Sequence, residues 1–133
     1  MYSKLFLTVA IAACTALPAT AQTFVAENGV KVKPMSGGSF EVEPDSKFGV
    51  PGQWCAAADY SRRVLSTPWG NRLYVQGTGT ASRSIVFGAD PAGAEPSSIT
   101  IVSNSAKTPG ANFSVQRAYA FCYDNRQEVF DLR

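Results

Sequence analysis

The sequence predicts an α+β fold, a two-layer sandwich in which one main helix packs on an antiparallel meander sheet. An N-terminal β-hairpin and one disulfide complete the prediction. Residues 52–66 form the one convincing segment in which apolar and small side chains recur at helical spacing. Most of the remaining mature chain divides into short strand-like runs between turns rich in Gly and Pro. Two cysteines, one in the helix and one near the C-terminus, are available to join these layers.

The first 21 residues are predicted to be a signal peptide. Lys4 precedes an apolar run at residues 5–13, and Ala-Thr-Ala at residues 19–21 fits the small-x-small cleavage site. The apolar run is too short to remain as a membrane-spanning helix. Cleavage would begin the mature chain at Gln22. The alternative is a lipoprotein, since Ile-Ala-Ala before Cys14 resembles a lipobox that would make an acylated Cys14 the N-terminus.

The mature part, residues 22–133, has the size of a single domain. With 12 basic and 10 acidic residues in the whole sequence, its charge is nearly balanced, which argues against a nucleic-acid partner. No further apolar segment approaches transmembrane length. We therefore expect a protein of the periplasm or one that is secreted.

The predicted helix carries small and apolar side chains along one stripe, and Pro68 follows its end. Members of the stripe are Trp54, Ala57, Ala58, Ser61, Val64 and Leu65. Cys55 also lies in this helix, and no Cys-x-x-Cys motif surrounds it. Removal or lipidation of Cys14 leaves Cys55 and Cys122, which we expect to form a disulfide in an oxidising compartment. Closing such a long loop contributes about 4 kcal/mol in the chain-entropy model.

A first hairpin is predicted from alternating residues at 30–33 and 40–43. The expected register pairs Val32 with Val42, Lys31 with Glu43, and Lys33 with Glu41. One face of the hairpin would then be apolar, and the other would be a solvated face of complementary charges.

Four more strands are predicted after the helix, at residues 72–76, 84–87, 98–102 and 112–123. In the last of them, small residues alternate with larger ones, so that Cys122 would point toward the helix layer. The opposite sheet face is then the candidate binding surface. Its proposed residues are Tyr74, Arg117, Tyr119, Phe121 and Tyr123. Such aromatic rings and cations could stack on sugars or flat ligands, anchor a partner protein, or form a homo-oligomer interface, unless the hairpin or the tail covers them.

The absence of histidine removes Ser-His and Cys-His nucleophile pairs and most zinc sites. We predict no catalytic residues, metal site or cofactor. The expected function is a non-enzymatic binding or accessory domain whose partner is a protein or small molecule. One alternative is a small hydrolase using carboxylates such as Asp59 or Asp124. Another is an envelope inhibitor or accessory protein that acts through the loop at residues 88–96. The chain resembles the small, exported, single-disulfide proteins of Gram-negative bacteria, which are a class and not a family.

Overall fold

The computed structural model describes residue 13 and residues 22–131, with side chains described as far as residue 124. The predicted signal peptidase site and Cys14 lie outside these described residues. In chain order the elements are β1 (Phe24–Val25), β2 (Lys31–Pro34), a 3-10 turn (Ser36–Gly38), β3 (Phe40–Val42), α1 (Val50–Arg63), β4 (Arg72–Thr78), β5 (Ile85–Gly88), α2 (Val102–Ser105), β6 (Asn112–Ser114) and α3 (Val115–Asp131).

The strands form one six-stranded sheet in the order β1-β2-β3-β5-β4-β6, and all its pairings are antiparallel. The predicted α+β sandwich with an antiparallel sheet is confirmed. The first three strands form a meander. Helix α1 then leads from β3 to β4, but the β4–β5 hairpin places β5 beside β3. The helices α1 and α3 pack against each other and against the sheet.

The predicted register of the first hairpin is confirmed, with Val32 opposite Val42 and Lys33 opposite Glu41. The prediction of a solvated charged face is wrong for Glu41, which is only 5% exposed. The β4–β5 turn covers this carboxylate, which accepts hydrogen bonds from the Thr80 and Ser84 hydroxyls and from the Ala81 N–H. Lys33 instead pairs with Glu43 at 3.5 Å.

Helix α1 is buried along residues 52–61. Its run of alanines lets neighbouring backbones approach closely, and the aromatic core gathers around Trp54. That ring makes edge contacts with Phe87 and Phe113, each at 4.9 Å between centroids. Its indole N–H donates to the Ser105 hydroxyl at 2.9 Å, which satisfies the buried donor.

The predicted strand at residues 112–123 is wrong beyond Ser114, where the chain turns into α3. Ser114 Oγ accepts a hydrogen bond from the Arg117 N–H at 3.1 Å, a contact typical of a helix N-cap. Buried residues then follow at Val115, Ala118 and Cys122, which is helical spacing. The alternation of small and aromatic residues resembled a strand because a short pattern of this kind fits both periods.

The predicted strand at residues 98–102 is also wrong. Most of it is irregular and leads into the single turn of α2, and Ile101 in that segment is 56% exposed. A strand at these residues would need hydrogen bonds to a neighbouring strand. The pairing next to this segment is a single isolated bridge between Ser97 and Ala111. A short apolar run does not by itself specify a strand.

The predicted disulfide is confirmed. Cys55 and Cys122 are bonded, with their Cα atoms 4.9 Å apart, and both are buried. The bond joins α1 to α3, two helices, instead of joining a helix to a strand. Small residues such as Ala118 on α3 and Ala58 on α1 are fully buried, consistent with the close packing of the two helices.

Candidate functional site

The five residues predicted to form an aromatic sheet face do not share one face. Tyr74 belongs to β4, and the other four belong to α3. Successive residues of a helix point about 100° apart, so the side chains at 117, 119, 121 and 123 spread around the helix. Whether any of them binds a ligand stays a prediction.

Arg117 and Phe121 form a small cluster against the core. Phe121 is 8% exposed and packs on Phe113 at 5.7 Å between ring centroids. The Arg117 guanidinium lies 4.9 Å from the Phe121 centroid and covers it from the solvent side. Tyr123 is 57% exposed, and Tyr74 is half-buried on its strand. These four residues therefore do not combine into a single concave surface.

Tyr119 does face a concave surface, which we call the Trp69 groove. It has a volume of about 620 Å³ and lies between the end of β1, the last turn of α1 and α3. Its lining residues are Val25, Ala26, Glu27, Asp59, Arg62, Arg63, Trp69 and Tyr119. The groove thus gathers residues from four separate parts of the chain.

Trp69 is the largest of the side chains that line the groove. The residue is 41% exposed, although its ring makes two specific contacts. The Arg62 guanidinium lies 4.3 Å from the ring centroid, and the Tyr119 ring meets it edge-on at 5.2 Å and 76°. Arg62 Nη1 also donates to the Thr67 carbonyl at 2.7 Å, which holds the cation over the ring. The tryptophan is therefore exposed and held in place at the same time.

The charged floor of the groove is organised by Asp59, which is 2% exposed. Its carboxylate accepts hydrogen bonds from Arg63 Nε at 2.7 Å and Nη2 at 2.5 Å, and from the Glu27 backbone N–H at 2.8 Å. The hydrogen bond with Asp59 is the largest cause of a raised pKa at Arg63. Tyr119 donates its hydroxyl proton to Glu27 Oε2 at 2.8 Å. This network ties the segment after β1 to α1 and α3 within the groove that Trp69 also lines.

Trp69, Arg62 and Glu27 were not predicted as site residues from the sequence. The local pattern around Trp69 indicates only the turn that ends the helix. The sequence did contain an indication that Trp69 is exposed. A tryptophan in a Pro-Trp-Gly turn lies outside any apolar periodicity that would bury it in a core. Its contact with Tyr119, which lies 50 positions further along the chain, could not be predicted from the local sequence.

The carboxylates of the hydrolase alternative lie in very different surroundings. Asp124 is exposed on α3, and Asp59 is occupied by its bidentate pair with Arg63. Glu27 lines the same groove as Asp59, so the hydrolase alternative stays a prediction. A carboxylate that anchors a strand to a helix is nevertheless better suited to a structural role than to proton transfer.

One group of possible metal ligands occurs among the described residues, formed by Glu27, Cys55 and Cys122 with ligand atoms within 4.8 Å of one another. Metal binding by cysteine requires thiolates, and here both sulfur atoms are consumed by the disulfide. The oxidised protein therefore offers only the Glu27 carboxylate from this group. Within the described part of the chain, none of the helices has the length and apolar character that crossing a bilayer requires.

Together, the fold and the groove define a small, disulfide-bonded α+β domain with a preformed aromatic and charged concave surface. No known protein family, curated protein or solved structure matches the chain.

Proposed function

We propose that the protein is an exported, non-enzymatic binding module that holds a partner protein at the Trp69 groove. The buried disulfide is compatible with a periplasmic or secreted location, because such bonds persist in oxidising compartments. The predicted signal peptide provides the route of export, with a lipid anchor at Cys14 as the alternative form of the N-terminus.

The observation that carries the proposal is the exposure of Trp69 between two fixed neighbours. Tryptophan, tyrosine and arginine are the residue types that most often dominate the binding energy of protein interfaces. Because Arg62 and Tyr119 already hold the ring, a partner would not have to bear the entropy cost of ordering it. Val25, 56% exposed, adds an apolar contact to the same surface.

The chemistry of the groove also indicates what the partner presents. Asp59 and Arg63 neutralise each other, and Glu27 accepts a hydrogen bond from Tyr119. Among the residues that the structure describes, Arg62 makes its hydrogen bond to a neutral carbonyl, that of Thr67, so its charge remains available to an acidic group. We therefore expect the partner to place an apolar side chain on Trp69 and a carboxylate near Arg62.

The test begins with a photo-crosslinking amino acid at position 25, which lines the groove and leaves Trp69 intact, used in the native host to capture the partner. The purified partner is then titrated against the wild-type protein and three variants. Trp69→Ala and Arg62→Gln should each weaken the complex about tenfold or more, which corresponds to roughly 1.4 kcal/mol. Tyr123→Ala is the matched control, since Tyr123 is an exposed aromatic residue that does not line the groove. Equal affinities for Trp69→Ala and Tyr123→Ala would refute the proposal.

A second candidate function rests on the loop at residues 88–96. This largely exposed loop is braced: Gln76 Nε2 donates to the Asp90 carbonyl at 2.9 Å, and the Ala92 N–H donates to Asp90 Oδ1 at 2.8 Å. Inhibitors often present a loop whose shape is set before binding, since rigidity lowers the ordering cost. Replacing the loop with a two-residue turn should abolish an inhibitory or accessory effect, while Trp69→Ala should leave that effect intact. If Trp69→Ala abolished the effect and the loop replacement did not, the effect would belong to the Trp69 groove.

A further inference from the structure

We propose that a separate cavity at the start of α1 binds a small amphipathic anion, a free fatty acid of medium chain length. The cavity has a volume of about 360 Å³ and is called the α1 pocket below. Its lining residues differ from those of the Trp69 groove, so the inference is independent of the proposed function.

The surface that lines the α1 pocket is mainly apolar. Val50 contributes from α1, Ile85 from β5, and Ala106 from the turn after α2, while polar side chains of the lining belong to Gln53, Thr78, Ser84 and Ser103. Ile85 is 1% exposed, and Val50 and Ala106 are half-buried against the same core. The volume falls within the range of about 300–1,000 Å³ in which small-molecule sites usually lie. Such walls suit an alkyl chain.

Two cations lie at the rim, where Arg83 and Lys107 both line the pocket and are exposed. Arg83 has a positive φ of 60°, a conformation that L-residues rarely adopt. Its carbonyl accepts a hydrogen bond from Gln53 Nε2 at 2.9 Å, so a buried helix residue holds this unusual turn. Strained backbone of this kind is concentrated at binding sites and switch regions.

Of the described residues that line the pocket, Asp45 alone is acidic. Its Oδ1 accepts the Lys47 backbone N–H at 2.9 Å, and its Oδ2 is buried against Gly52, where a β-carbon would overlap it. The carboxylate is therefore turned onto the first turn of α1. Asp45 therefore faces the positive end of the α1 dipole, and the two rim cations outnumber it and favour a negatively charged ligand.

These features specify both ends of the ligand. Its alkyl chain would lie against Val50, Ile85 and Ala106. Its carboxylate would remain at the rim beside Arg83 and Lys107, where it keeps part of its hydration. Binding requires no covalent step, and we expect a modest affinity because one rim of the site is open to water.

The test uses the oxidised, mature protein and two probes of equal chain length, octanoate and octanol. In an NMR titration, octanoate should bind saturably below about 1 mM, and the shifted resonances should include Val50, Ile85 and Ala106. Octanol should bind at least fivefold more weakly. The double substitution Arg83→Gln with Lys107→Gln should remove this preference for the anion. Both replaced residues are exposed, so the fold should survive.

Two cavity-filling variants test whether octanoate enters the α1 pocket. Ala106→Phe fills the cavity and should abolish octanoate binding, and Val50→Phe provides a second filling variant if the first one fails to fold. Trp69→Ala should bind octanoate as the wild type does. The inference is overturned if octanol and octanoate bind equally, if the filling variants still bind, or if the shifts map to the Trp69 groove. It is also overturned if the pocket is closed by a second copy of the chain in an octanoate-insensitive dimer.

Discussion

Asp59 accepts the backbone N–H of Glu27 at 2.8 Å, a hydrogen bond between residues 32 positions apart. The contact fastens the short edge strand β1 to the buried helix α1. It also places the Glu27 side chain where Tyr119 donates to it. A structural anchor and the Trp69 groove therefore depend on the same carboxylate.

Asp59→Ala is expected to lower the free energy of unfolding by about 2–4 kcal/mol, because the Glu27 N–H and Arg63 both lose their charged acceptor. Urea denaturation followed by circular dichroism measures this loss. Glu43→Gln is the control, since the partly exposed pair between Glu43 and Lys33 should contribute less than about 1 kcal/mol. Losses of similar size for both variants would contradict the anchoring role.

Stability should fall in mild acid because of Glu41. Its pKa lies below the ordinary value of 4.5, first because the Ser84 hydroxyl donates to it and then because the Ala81 N–H does. A carboxyl with a lower pKa in the folded state stabilises the protein fully above its unfolded pKa, and this contribution is lost as pH falls through the folded pKa.

The melting temperature of the wild type should therefore decline more steeply below about pH 4.5 than that of Glu41→Gln. At neutral pH the Glu41→Gln variant should be less stable by about 1–3 kcal/mol, since a neutral amide replaces a buried acceptor of several hydrogen bonds. Thermal melts from pH 7 to about pH 3 measure both effects. If the melting temperatures of the two proteins fell equally with pH, Glu41 would not be the cause of the loss of stability in acid.

Loss of the disulfide should lower the free energy of unfolding but should not change the fold. The bond links residues 67 positions apart, and the double variant Cys55→Ala with Cys122→Ala should lose about 2–5 kcal/mol. Because both sulfur atoms are buried, reductant should react with the native protein slowly and much faster in urea. Mass spectrometry of alkylated samples measures the rate, and rapid reduction without denaturant would contradict the buried position.

The two tryptophans should differ sharply in their access to solvent. Trp54 is 0% exposed and Trp69 is 41% exposed, so acrylamide should quench one emission component strongly and the other weakly. Trp69→Phe should leave only the shielded component, while Arg62→Gln should increase the quenching of Trp69 by uncovering one ring face. Unchanged quenching in Arg62→Gln would show that the cation does not cover the ring in solution.

Local pattern was sufficient to predict several features of this protein. The helix around Trp54, the register of Val32 with Val42, and the pairing of Cys55 with Cys122 all follow from signals within a few residues or from counting cysteines. Such features are set by periodicity, by side-chain alternation and by the number of possible partners. Each of these features can therefore be predicted without knowing how distant parts of the chain pack.

The identity of α3 and the composition of the groove were decided by tertiary packing. Residues 115–123 carry a pattern compatible with strand or helix, and packing against α1 with the Ser114 cap selects the helix. That choice rotates Tyr119 toward Trp69 and buries Phe121 on the core. Burial of Glu41 likewise required a turn 40 residues further along the chain. Side chains so far apart meet only after the layers have packed, so their contacts are a property of the whole fold and not of any local pattern.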